Sequence, residues 1–424
     1  MLDITFVREN SEAVAANTES RGMKIDLDRT LELDDRRREL VGRTQELRRE
    51  RNENSQKMKG PMEQADRAPL IERGKAIKEE LGALEEDLTA IEQECNGLLR
   101  AIPNMTHPDV PHGGEDDARE IEQIGTPPNF DFEPLDHLAL GAKHDLIDFE
   151  RGADVAGSSF YFLKNEAALL ELALVNFAVA TIVRHGYTPH ITPDLARPDI
   201  LDAIGFNPRG EESQVYGIDG HDLCLIGTAE IALGGMYAGE IFAADTLPMR
   251  LGGYSHCFRT EAGAHGRESR GLYRVHQFSK VEMFAFATPE QSEEIHEEML
   301  AIEKEIFTAL EIPFRVVDIA TGDLGAPAYR KYDIEAWMPS RATYGEVTST
   351  SNCTDYQARR LKIRYRPEAV DGKKQKPRYV HMLNGTAVAC SRALVAIFEN
   401  HQRADGSIRV PKVLVPWVGA EVIG

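Results

Sequence analysis

From Arg29 to Arg100 apolar residues recur at helical spacing, and the run is broken only by the segment KMKGPMEQADRAP, where Gly60 and Pro61 mark a turn. Two long helices are therefore predicted. In the second, Ile77, Leu81, Leu84, Leu88, Ile91, Cys95 and Leu98 alternate in steps of four and three, the pattern of a coiled-coil seam. In the first, Leu33, Leu40 and Leu47 are spaced by heptads, with Arg37, Thr44 and Arg51 between them, so its partner face is expected to be frayed or partly polar. A short turn between helices of about thirty residues predicts an antiparallel hairpin roughly 45 Å long.

The pattern changes after AIPNMTHPDVPHGGEDD, a Pro-, Gly- and Asp-rich connection, and a boundary is expected there, giving domains 1–108 and 109–424. Beyond it, short apolar runs (LCLIGT, RVHQFSKVEMFAFA, FRVVDIA, YGEVTSTS) alternate with helical segments such as EAALLELALVNFAVATIVRHG and EQSEEIHEEMLAIEKEIFTALE. Neighbouring runs read as hairpins rather than strand-helix-strand units, which predicts an α+β fold on an antiparallel sheet.

A chain of 424 residues with 42% hydrophobic content has enough apolar surface for two or three domains. Its formal charge of −21 argues against a polyanion binder that works by bulk attraction, but leaves room for a local basic stripe. Arg36, Arg37, Arg38, Arg43, Arg48, Arg49, Arg51, Lys57 and Lys59 of the first helix could form one, or could pair with the acidic EEDLTAIEQE of the second. No basic segment followed by an apolar stretch opens the chain and no uninterrupted apolar run spans a bilayer, so a soluble cytoplasmic protein is expected. Cys95, Cys224, Cys257, Cys353 and Cys390 form no CxxC pair and read as buried thiols, with no zinc site expected.

Candidate chemistry concentrates in FRTEAGAHGRESRGLYRVHQFSKVEMF, where Arg259, Arg267, Arg270 and Arg274 surround glycines ahead of an apolar strand. The strand period places Arg274, His276, Phe278, Lys280 and Glu282 on one face, with Val275, Val281 and Met283 on the other. Such a face could meet a phosphate, a flat base and an amine. With no GxxxxGK[ST] loop and no GxGxxG after a strand, arginines would have to hold any nucleotide: Arg259, and Arg392 after LNGTAVACS, where Gly385 is expected to break a strand before the helix ALVAIFENHQ. Glu346 and Ser349 are oxygen ligands of the kind Mg²⁺ takes beside phosphates, but in a regular strand they face opposite ways, so their joint use requires a bulge. Thr228 and Glu230 sit where a strand meets a helix, and a helix N-cap with a first-turn acid explains them equally well.

These segments, in this order, resemble seryl-tRNA synthetases of the bacterial type, within the class II aminoacyl-tRNA synthetases, over nearly the whole chain. HGYTPHITPDL, with Pro193, is similar to the dimer-forming first motif of the class, FRTEAG with RVHQFSKVE to the second, and LNGTAVACSRALVAIFEN to the third; TAE, TGDLG, YDIEAWMP and SNCTDYQARR add to the likeness. The resemblance implies a six- or seven-stranded antiparallel sheet with flanking helices and a homodimer. It implies an enzyme that activates L-serine with ATP and Mg²⁺ and transfers it to tRNA(Ser), with tRNA(Sec) a second candidate acceptor. Matched to the family, Arg259 would contact the α-phosphate and Arg392 the γ-phosphate; Thr260, Glu261, Val275, Phe278, Val347 and Thr348 would complete the ATP site, with Phe278 stacked on adenine. Glu346 and Ser349 would hold the metal, while Thr228, Ala229, Glu230, Glu282 and Thr386 would form the serine pocket. Thr386 departs from the serine found there in many bacterial members, keeping the hydroxyl and adding a methyl. A carrier-protein ligase and a nonenzymatic RNA-binding paralogue remain as alternatives, and a zinc-dependent threonine enzyme lacks a Cys/His ligand set.

Overall fold

The heptad leucines of the first long helix lie at the bottom of a seam: Leu33, Leu40 and Leu47 are buried in the computed structural model, which describes residues 1–206, 214–261, 271–369 and 371–424. The chain divides into two compact units, Met1–Met105 and Thr106–Gly424. In the first unit, α1 (Leu27–Lys57) and α2 (Gln64–Ala101) pair along their length. Asp26 caps α1 by accepting from the Arg29 amide. Helix α2 starts at Gln64, ahead of Pro69, which lies within its second turn. The face of α1 is polar rather than frayed: Thr30, Thr44 and Asn54 are buried along the same seam as the leucines, and Asn54 Nδ2 donates to the Leu70 carbonyl at 2.8 Å while packing against Gly74. Arg51 is exposed. Ion pairs cross the hairpin between Arg48 and Glu85 (2.8 Å) and between Arg73 and Glu50 (2.7 Å), so part of the basic content is paired as a solvated exterior would have it. Exposed pairs of this kind, screened by solvent, add little to stability.

The second unit is built on an eight-stranded sheet: β1 (Arg119–Ile124), β2 (Thr188–Ile191), β3 (Met249–Phe258), β4 (Gln277–Ala287), β5 (Phe314–Asp318), β6 (Arg330–Met338), β7 (Thr343–Asn352) and β8 (His381–Ala389). Their spatial order is β1-β5-β6-β7-β8-β4-β3-β2, and every pairing is antiparallel except that of the edge strand β2, which runs parallel to β3. The helices that position the site are α3 (His137–Lys143), α4 (Asn165–Arg184), α5 (Ala229–Gly235), α6 (Ser292–Ala309) and α7 (Cys390–Asn400). Val281, Met283 and Ala285 of β4 point into a core shared with α4, α6 and α7; on the other face Phe284 and Phe286 join Leu201, Ile204, Ile231 and Leu233. Helix α4 is long and apolar enough to match a membrane span by length and composition, although its apolar run is not uninterrupted. Leu170, Leu174, Ala178 and Ile182 bury it in the core, and Glu171 interrupts its middle.

Two strand boundaries differ from the sequence reading. β4 starts at Gln277, so Arg274, Val275 and His276 lie in the turn before it, where the His276 amide bonds the Ser159 carbonyl instead of a ladder partner. Gly385 does not break β8 but sits inside it, because Thr350 Oγ1 and Glu303 Oε1 would lie 3.0 and 3.1 Å from any Cβ there. Arg267, Arg270 and the rest of the 263–270 segment lie outside the described residues. All five cysteines are free and buried.

Truncating Leu47, which packs on Ile77 and Leu81, is expected to cost about 2–4 kcal/mol locally. Hydrogen exchange of Leu47→Ala should show faster exchange in α1 and α2 and unchanged exchange in Thr106–Gly424.

Candidate active site

Two bulges and one glycine bring the polar residues to one end of the sheet. In β7 the pairing with β6 slips between Ile334 and Glu335, leaving Val347 as an extra residue; this is the bulge that turns Glu346 and Ser349 toward the same cavity. In β8 the pairing with β4 slips between Thr386 and Val388, so Ala387 bulges and Thr386 stays opposite Glu282. On β3, Gly253 has no side chain, and the space is filled by Ala229 Cβ and Leu233 of α5, which seats that helix directly on the strand. Thr228 caps α5, accepting from the Glu230 amide at 3.3 Å.

The resulting cavity, about 200 Å³, is lined by Thr228, Glu230, Arg259, Glu261, Val275, Phe278, Glu282, Glu346, Val347, Thr348, Ser349, Thr386 and Arg392. Two of the expected residues do not line it: Ala229 packs on Gly253, and the Thr260 amide bonds the Gln214 carbonyl. At one end is a buried cup. Lys280 Nζ stands 2.5 Å from Glu282 Oε2 and donates to Thr228 Oγ1 at 2.8 Å, and Thr386 Oγ1 donates to Glu282 at 3.3 Å. Beside it Glu230 Oε1 accepts from Gln357 Nε2 at 2.7 Å and Asn384 Nδ2 at 3.0 Å. Burial, then the neighbouring Glu282 charge, push the Glu230 carboxyl up to about 7, against the opposing pull of Gln357, Lys280 and Arg259.

The other end is cationic. Arg259 lies over the Phe278 ring, 5.5 Å from its centroid, and Arg274 pairs with Glu261 at 3.1 Å. Arg392, in the first turn of α7, reaches Glu346 at 3.2 Å and lies 4.9 Å from the centre of the Tyr273 ring. Burial alone would raise the Glu346 carboxyl, but Arg392, Lys331 and Arg259 more than offset this and hold it at about 2. With its side chain 40% exposed, it remains available to a ligand. A carboxylate and a hydroxyl on one side of a bulged strand fit a divalent ion completed by substrate phosphates and water. Among the described residues no three His, Cys, Asp or Glu converge on a metal site.

The sequence reading missed Lys280, Asn384, Gln357 and Tyr273 as parts of the site. Lys280 was legible, since the strand period put it on the same face as Glu282. Gln357 was not, because its bond to Glu230 spans 127 positions.

Comparison with known proteins gives a consistent result. A family profile described as the seryl-tRNA synthetase N-terminal domain matches residues 1–106, and one described as the class II tRNA synthetase core domain (G, H, P, S and T) matches residues 215–401. The chain is 55% identical to the serine–tRNA ligase of Treponema denticola, each chain being covered completely. Among solved structures it is similar to a seryl-tRNA synthetase from Pyrococcus horikoshii, complexed with ATP, at 40% identity and a TM-score of 0.90, covering 100% of this chain and 99% of that one. A cytoplasmic serine–tRNA ligase from Naegleria fowleri, in complex with AMP, follows at 32% identity and a TM-score of 0.85, with 100% and 98% covered.

The raised Glu230 carboxyl carries a pH signature. A protonated Glu230 favours the fold; that contribution is complete below the ordinary value of 4.5 and is lost as pH rises through about 7. Glu230→Gln, which never ionises, is therefore expected to gain stability relative to the parent between pH 4.5 and 8.5, by on the order of 3 kcal/mol. Denaturant titrations of the unliganded proteins at the two pH values measure it, and a constant difference would refute the assignment.

Proposed function

The chain belongs to the seryl-tRNA synthetase family, and from that premise we propose how its residues carry out the ATP-dependent ligation of serine to tRNA. The activity is that of a serine–tRNA ligase. A carboxylate oxygen of serine attacks the α-phosphorus of ATP in line, the bond to the β-phosphate bridging oxygen breaks, and seryl-adenylate and pyrophosphate result. A ribose hydroxyl at the 3′ end of tRNA then attacks the acyl carbon, its proton is lost, and AMP leaves. Neither step requires a nucleophile from the protein, so catalysis rests on alignment and on charge placed in advance.

The observation that carries this reading is the juxtaposition of an acidic, hydroxyl-lined cup with an arginine track in one cavity. In the cup, Glu230 and Glu282 outnumber Lys280, and the ammonium of serine supplies the missing positive charge. Thr228 and Thr386 offer hydroxyls within reach of a small polar side chain; a site built to bond a hydroxyl rejects alanine strongly. Along the track, Arg259 takes the α-phosphate, Phe278 stacks on adenine beside Val275, and Arg392 takes the γ-phosphate. Glu346 and Ser349 would hold Mg²⁺, which when bound neutralises phosphate charge. Glu261, Val347 and Thr348 contribute walls, whereas Thr260 lies outside the cavity lining.

Residues 1–108 form the tRNA-binding domain in this reading, with the hairpin directed to the long variable arm of tRNA(Ser) through shape and backbone contacts; tRNA(Sec) is a second acceptor to be assayed. The catalytic domain, 109–424, assembles as a homodimer: Ile191 of β2, on the segment resembling the first motif, is 86% exposed. The protein works in the cytoplasm with its soluble substrates. A carrier-protein ligase or a nonenzymatic paralogue is not favoured, because the likeness to serine–tRNA ligases runs through both units.

Arg259→Ala is expected to slow serine-dependent ATP–pyrophosphate exchange about 10²–10³-fold while leaving the fold intact. Unchanged exchange would remove Arg259 from the chemistry. Replacing residues 30–100 by a short turn should spare exchange and abolish charging of tRNA(Ser), and efficient charging by that variant would refute the role of the hairpin.

A further inference from the structure

Away from the cavity, a buried imidazole and carboxylate join the elements that bear its cations. His137, the first residue of α3, and Glu399, in the last turn of α7, are 5% and 1% exposed. His137 Nδ1 lies 2.9 Å from Glu399 Oε1, and the His137 amide donates to the same oxygen at 3.1 Å. On the far side of the ring, the Leu272 amide donates to Nε2 at 3.2 Å. These partners fix the tautomer: Nε2 is the acceptor, so the proton resides on Nδ1 and is given to Glu399. The second oxygen of Glu399 accepts from the Ser340 amide at 3.1 Å. One carboxylate thus secures two turns, 271–273 and 339–342.

The first turn leads to Arg392 of the phosphate track, and the second carries Arg341, which lies over the Tyr273 ring. Tyr273 follows Leu272; its hydroxyl donates to the Glu346 carbonyl at 3.0 Å, its own carbonyl accepts from Arg392 Nε at 3.4 Å, and its ring centre lies 4.5 Å from the guanidinium of Arg341, the residue after Ser340. Arg392 and Glu399 are seven residues apart on α7, two turns along one face, so the helix holds the Leu272–Tyr273 turn by its carbonyl at one end and, through His137, by its amide at the other. The contact leaves no slack. Gly271 has φ +74°, and a Cβ there would lie 2.0 Å from His137 Nε2, so the turn is pressed against the ring itself.

Resting on the synthetase reading above, we propose that His137 and Glu399 are positioning residues for ATP. They touch no substrate. By accepting the Leu272 amide, His137 sets the height of Tyr273 above β7, and Tyr273, flanked by Arg341, in turn sets where Arg392 presents its guanidinium group to the triphosphate. The serine cup, built on α5, β4 and β8, does not depend on this clamp, so its loss should weaken ATP binding selectively.

The test compares His137→Asn with His137→Gln in serine-dependent ATP–pyrophosphate exchange. Asparagine can still donate near the Nδ1 position but cannot reach Leu272, whereas glutamine carries an acceptor to the Nε2 position. A buried amide left without its acceptor should raise the KM for ATP roughly tenfold in His137→Asn, with the KM for serine within about twofold, and His137→Gln should recover most of the loss. Equal effects of the two variants, or a matching rise in the KM for serine, would overturn the clamp and leave His137 a structural residue. Absence of serine-dependent exchange in the parent protein would instead overturn the synthetase reading, so the two failures are distinguishable. Should His137→Asn unfold, as judged by circular dichroism, the same KM split is read in Tyr273→Leu, which removes the ring that the clamp positions; an unchanged KM for ATP there overturns the proposal as well.

Discussion

Burying an ammonium and two carboxylates at one end of a β-sheet is the constraint on which the rest of the site depends. Lys280, Glu282 and Glu230 are each no more than 7% exposed, and a charge taken out of water must find partners or lose its proton. Lys280 and Glu282 solve this by pairing, with the Thr228 and Thr386 hydroxyls taking up remaining hydrogen-bonding capacity. Glu230 forms no ion pair among the described residues and accepts from two amides instead, with its carboxyl raised to about 7. The cup is short of one positive charge, and the ligand that fits it is a small ammonium compound.

The backbone makes these partnerships possible by departing from regularity at the right places. A straight ladder would send Glu346 and Ser349 to opposite faces and move Thr386 out of register with Glu282; single-residue bulges at Val347 and Ala387 prevent both. Residues without side chains do similar work. Gly253 admits α5 to the surface of β3, Gly385 admits Thr350 and Glu303 beneath β8, and Gly345 makes room for the Tyr273 hydroxyl, which would lie 2.9 Å from a Cβ at that position. The cationic end is held from farther away, through the α7 helix that carries Arg392 at its start and Glu399 at its end.

Much of this was legible in the sequence where the period of a single element governs. The four-three spacing of Ile77 through Leu98 marked the hairpin, and the strand alternation from Phe278 to Glu282 separated the chemical face from the core. The spacing of Glu346 and Ser349 even required the bulge that is found. Legibility ended where long-range contacts decide. Nothing near His276 announces that its amide will bond Ser159 and delay the start of β4, and nothing near Gly385 shows that two side chains from other elements will occupy the space beneath it. Gln357, His137 and Glu399 read locally as ordinary helix residues, and their partners at Glu230 and Leu272 lie more than a hundred positions away. The polar seam of α1 sits between these cases: Thr44 stood out at a seam position, but Thr30, Asn54 and the Asn54 bond to Leu70 that ties that face to α2 did not.

A cup that lacks one positive charge should give up a proton when serine binds. With its carboxyl at about 7, Glu230 is about half protonated in the empty site at neutral pH, and an arriving ammonium should drive that proton off. Calorimetric titration of the full-length protein with L-serine at pH 7, in buffers of differing ionisation enthalpy, is expected to show release of up to about half a proton per serine bound. Binding without proton release, or with uptake, would mean that the cup is not short of a positive charge.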